Sequence, residues 1–96
     1  MNTQTLTELI IHKLFDIVQD IYHHQTSNVI CSELMSIWTQ YDNSRMILYT
    51  QDDVPKIAAR CIDLLLFKGI IQDQSTALTA KTEILKVLHL GLQLSK

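Results

Sequence analysis

Residues 54–79 read VPKIAARCIDLLLFKGIIQDQSTALT, and this stretch decides how the chain is folded. Pro55 fits a first helical turn, where a missing N–H costs nothing. The preceding tetrapeptide Thr50–Asp53 has the outline of a capping box, with Asp in place of Glu, and its two acids suit the positive end of a helix dipole. A helix is therefore expected from Val54 to Lys68. It stops at Gly69, the residue type best able to take the left-handed conformation that ends a helix. Ile70 and Ile71 then form a short β-favouring run, Gln72–Ser75 a polar turn, and Thr76–Leu78 a second run able to pair back as a small hairpin. A last helix follows from Thr79 or Ala80 to Leu94, with Ile84, Leu85, Val87, Leu88, Leu90, Leu92 and Leu94 over much of its circumference.

Upstream, Thr5 to Glu8 also fits a capping box. Leu6, Leu9, Ile10, Leu14, Ile17, Val18 and Ile21 recur behind it at helical spacing, which predicts a first helix from Thr5 to His23. Ile11, Phe15 and Tyr22 fall outside that stripe, so the apolar arc is wider than one buried face needs. Gln25–Asn28 is a polar break with several cap candidates. Ile30, Leu34, Ile37, Trp38 and Tyr41 then define a second helix, from Asn28 to Gln40. Tyr41–Arg45 has turn chemistry, and Met46–Tyr49 is either a short strand or an extended linker.

The 96 residues suffice for one small domain, taken as 1–96. With 47% apolar residues, two glycines and one proline, a mainly helical fold with a real core is expected. The net charge of −2 argues against a protein that coats nucleic acid. Its distribution is uneven. Residues 1–53 carry Lys13 and Arg45 against Glu8, Asp16, Asp20, Glu33, Asp42, Asp52 and Asp53, a balance of −5. Residues 54–96 carry Lys56, Arg60, Lys68, Lys81, Lys86 and Lys96 against Asp63, Asp73 and Glu83, a balance of +3. Such asymmetry can orient a protein on a polyanion. Cys31 and Cys61 lie in apolar helical contexts and are expected to be buried free thiols. MNTQTLTELI lacks a basic start and a continuous apolar core, so no secretory signal is expected, and no apolar run approaches the ~20 residues of a membrane span. These features point to a cytoplasmic protein.

The run IAARCIDLLLFKGIIQ followed by LTAKTEILKVL resembles the end of a winged helix-turn-helix regulator. In that family a leucine-rich turn, a basic residue and a glycine close the recognition helix, an aliphatic pair and a wing come next, and leucine-threonine opens the next helix. Lys68-Gly69-Ile70-Ile71 and Leu78-Thr79 match. The resemblance implies a mainly α, small winged-helix-like domain with a short β-hairpin wing; an all-α four-helix bundle is the alternative. It also implies a dimeric transcriptional regulator whose helix 54–68 enters the major groove of double-stranded DNA. With Ala58, Cys61, Ile62 and Leu65 on the core side, Lys56, Ala59, Arg60 and Asp63 face outward. Arg60 would then meet a base or a phosphate, and Lys56 and Lys68 the backbone. Two features depart from the family. The β-like run lies between the second and third helices instead of the first and second, and the wing, Gln72 to Thr76, is short and carries no Arg or Lys.

A second reading stands beside this one. Lys56, Arg60 and Asp63 can form an ordinary solvated face, with Arg60 and Asp63 paired at i and i+3. Ile57, Leu64, Leu66 and Phe67 cannot all share one core face with Ala58 and Leu65. Surplus apolar surface of this kind suits a protein-protein interaction module or adaptor without nucleic acid. Ile11, Phe15, Tyr22, Leu64, Phe67, Leu88 and Leu92 are the residues expected at a homodimer or partner interface. No catalytic motif, phosphate-cradling glycine loop or cofactor signature occurs, so no enzyme activity is expected. The ladder His12, Asp16, Asp20, His23 and His24 has metal-competent side chains on one side of the first helix, but is expected to be its polar face and not a zinc site. Trp38 is expected in the core.

Overall fold

A computed structural model describes residues 3–18, 23–41 and 49–94. They form four α-helices: α1, Thr3–Ile17; α2, His23–Tyr41; α3, Val54–Phe67, entered through a single 3-10 turn at Gln51–Asp53; and α4, Gln74–Leu94. The mainly helical expectation holds. No strand occurs among the described residues, so of the two architectures considered the all-α one fits. The hairpin wing is absent from 70–78.

Each helix packs on its sequence neighbours, and the ring closes through α1 against α4. At ~1.5 Å of rise per residue, α4 is about 31 Å long and α2 about 28 Å. The molecule measures 35 × 21 × 19 Å, so both must run near its long axis. Side-chain links give the directions. The Trp38 indole N–H, late in α2, donates to the Thr7 hydroxyl, early in α1 (2.9 Å). Tyr49, just before α3, stacks on Trp38 with centroids 5.7 Å apart and an interplanar angle of 26°. Its hydroxyl donates to the Leu88 carbonyl, late in α4 (2.6 Å). One end of the molecule thus gathers the start of α1, the end of α2, the start of α3 and the end of α4. The chain runs up, down, up and down.

The core follows helical periodicity. Leu6, Ile10 and Leu14 come from α1; Ile30, Leu34, Ile37 and Trp38 from α2; Val54, Ile57, Ala58, Cys61, Ile62 and Leu65 from α3; Ala77, Ala80, Ile84, Val87 and Leu88 from α4. Val18, Tyr49 and Ile71, in the connections, complete it. The two buried polar side chains among the described residues are Thr7 and Thr26. Thr7 resolves its burial locally, its hydroxyl donating to the Thr3 carbonyl (2.7 Å) while accepting from Trp38.

Several boundaries differ from those read in the sequence. The first helix ends at Ile17, not His23, and Thr5 and Glu8 lie inside it, not at its cap. His23 and His24 open α2. The ladder from His12 to His24 is therefore divided between two helices, with Asp20 outside the described residues. No glycine or proline marks this break, and the apolar stripe runs on through Val18 and Ile21, so local pattern carries no signal for it. The polar stretch 25–28, expected to be a break that caps the second helix, is part of the opening turns of α2. Thr26 is fully buried one helical turn before Ile30, and a count of apolar residues passes over a buried threonine.

The α3–α4 connection shows the largest correction. Gly69 adopts φ +74°. Its N–H donates to the Leu66 carbonyl (3.1 Å) and the Ile70 N–H to the Leu65 carbonyl (3.0 Å), the paired bonds of a Schellman motif. The glycine stop is as the sequence indicates, but the residues after it form no wing. Ile71 turns into the core, and the Asp73 carboxylate accepts the Thr76 N–H (2.8 Å) as a helix cap, so α4 starts at Gln74. Thr76–Leu78, expected as a β run, is helical because Ala77 and Ala80 extend the stripe of Ile84, Val87 and Leu88 backwards by two turns. Of the Met46–Tyr49 run, only Tyr49 lies within the described residues, and it is not in a strand.

Candidate interaction surface

The start of α3 is built as its sequence suggests. The Asp53 carboxylate accepts the Thr50 N–H (2.9 Å) and the Thr50 hydroxyl (3.0 Å), and Pro55 sits in the first turn. The inner face of α3 is Val54, Ile57, Ala58, Cys61, Ile62 and Leu65, which includes all four residues expected there. Most of the apolar surplus on this helix is absorbed by the chain itself. Ile57 joins the core, Leu66 packs at its margin, and Leu64 is half-buried.

The outer face is a strip of Lys56, Arg60, Asp63 and Phe67 at i, i+4, i+7 and i+11, with Lys68 exposed beyond it and Ala59 half-buried at its edge. Every polar residue named for DNA contact is thus on the surface. Arg60, however, is engaged. Its guanidinium lies 2.7 Å from the Glu33 carboxylate of α2, with the two side chains 45% and 21% exposed. The partner is Glu33, from another helix, and not Asp63 three residues on. Among the described residues Lys56, Asp63 and Lys68 make no ion pair.

The Glu33–Arg60 pair lies beside Cys61. Burial pushes that thiol up to about 12; the Glu33 carboxylate adds to the shift and the Arg60 guanidinium opposes it. With no exposed surface, Cys61 is part of the packed core. Cys31, expected to be buried, is exposed on α2. An apolar sequence context does not by itself imply an apolar environment.

Of the residues expected at a partner interface, Leu88 is fully buried in the chain's own core, so it has no side chain to offer a partner. Ile11 and Leu92 are partly buried against that core. Phe15 is half-buried and meets His12 edge-on, with centroids 6.3 Å apart. Tyr22 lies outside the described residues. Phe67 stands apart, with 83% of its surface exposed on the last residue of α3. Leu78, placed from sequence in the second run of a hairpin, is 67% exposed on the second turn of α4. The signal for it is its offset from the Ala77–Ala80–Ile84 stripe. Between these two side chains run Lys68, Gly69, Gln72, Asp73, Gln74 and Ser75, all exposed. Among the described residues, Met35 and Leu90 are the other large apolar side chains with substantial exposure.

Among the described residues no group of three or more His, Cys, Asp or Glu side chains converges to hold a metal ion, and no helix is long and apolar enough to cross a membrane. Asp73 titrates below its usual range because Thr76 donates to its carboxylate from side chain and backbone, an effect of its capping role. No protein-family model, curated protein or solved structure matches the chain.

Proposed function

We propose that this chain is a helical protein-protein interaction module, and that it presents the α3–α4 turn, with Phe67 and Leu78 at its margins, to a protein partner. The observation that carries the reading is the exposure of Phe67, 83% on a helix whose other large apolar residues are wholly or partly buried. A single exposed apolar residue is ordinary. Here an aromatic ring and a leucine flank one turn whose other exposed side chains, Gly69 having none, are polar. Apolar anchors beside polar residues have the composition of protein interfaces, and the energy of such interfaces concentrates in a few buried anchors.

The rival reading, a DNA-binding regulator using helix 54–68, draws support from the exposure of Lys56 and Lys68. It is the weaker reading because the second DNA-contacting element, the wing, is replaced by a helix cap. Arg60 would also have to leave Glu33 to reach a base.

Sedimentation velocity over a range of protein concentrations, on the unchanged chain and on Phe67→Ser and Leu78→Ser, tests the proposal. Self-association that both variants abolish, with helical content unchanged, supports it and makes a second copy the partner. Capture of a partner from native extract that Phe67→Ser abolishes supports it with a different protein as partner. Association that neither variant alters overturns it. So does low-salt binding to duplex DNA that Lys56→Ala and Lys68→Ala weaken and Phe67→Ser leaves intact.

A further inference from the structure

We draw no further inference here: the strongest candidate, the exposed apolar pair Phe67 and Leu78 beside the α3–α4 turn, belongs to the surface already described, and nothing in the structure shows what covers it.

Discussion

Tyr49 offers the sharpest test of how the four helices are held together. It is 3% exposed, stacks on Trp38 and donates its hydroxyl to the Leu88 carbonyl, so one side chain joins the approach to α3 to the ends of α2 and α4. Tyr49→Phe keeps the ring and removes only the hydrogen bond, a net loss of about 1 kcal/mol. For a domain of this size that lowers the melting temperature by roughly 4–8 °C. Tyr49→Ala also removes the buried ring, at a cost of about 3–5 kcal/mol. Total stabilities are about 5–15 kcal/mol, so the alanine variant is expected to be marginally folded. The chain has one tryptophan, Trp38, which touches the substituted ring. Denaturant titration followed by tryptophan emission therefore reads stability and local packing together. Tyr49→Phe should leave the emission of the folded state nearly unchanged, and Tyr49→Ala should alter it. An alanine variant within about 0.5 kcal/mol of the parent, the range of ordinary surface substitutions, would refute the docking of Tyr49 and with it the up-and-down arrangement inferred from its links.

Alkaline unfolding gives a related prediction. Burial raises the folded pKa of Cys61 from 9.0 to about 12, and burial raises that of Tyr49 well above 10.0. Above pH 9, and more so above pH 10, the unfolded chain releases protons that the folded chain retains, so stability present at neutral pH falls as pH rises. Between pH 9 and 12 the stability of Cys61→Ala should fall less steeply than that of the parent, whatever constant offset its cavity adds; equal slopes by denaturant titration would count against an enclosed thiol. Gly69→Ala should cost about 1–2 kcal/mol through its left-handed backbone, because the added Cβ meets nothing within 4 Å. Gly69→Asn should cost less, and a neutral alanine variant would mean the turn is not left-handed. A double-mutant cycle on Glu33→Ala and Arg60→Ala should show a coupling of about 0.2–1 kcal/mol that shrinks in high salt, as befits a partly exposed pair. Coupling absent at low salt would leave Arg60 free for the nucleic-acid role.

Much of the fold is legible where structure depends on a few adjacent residues. The Thr50–Asp53 cap, Pro55, the buried face of α3 and the Gly69 stop all arise within about one or two helical turns, where backbone geometry and side-chain spacing settle the outcome. The same locality explains why Thr76–Leu78 reads as a β run in the sequence. Those residues are compatible with a strand or a helix, and it is the fit of Ala77 and Ala80 against the rest of the core that makes them helical. The surface is harder to read than the core. Phe67 and Leu88 are both large and apolar, yet one is 83% exposed and the other fully enclosed. Which of them remains available to a partner depends on which helices lie alongside.

The amino-acid order by itself determined the helical class, the inner face of α3 and the place where that helix ends, because propensity, capping and periodicity act over short distances along the chain. Only the tertiary structure decided the break between α1 and α2, the pairing of Arg60 with Glu33 and the anchoring of Tyr49 on α4. Each of these is a relation between residues that meet only when the four helices pack, and no spacing within one segment encodes it.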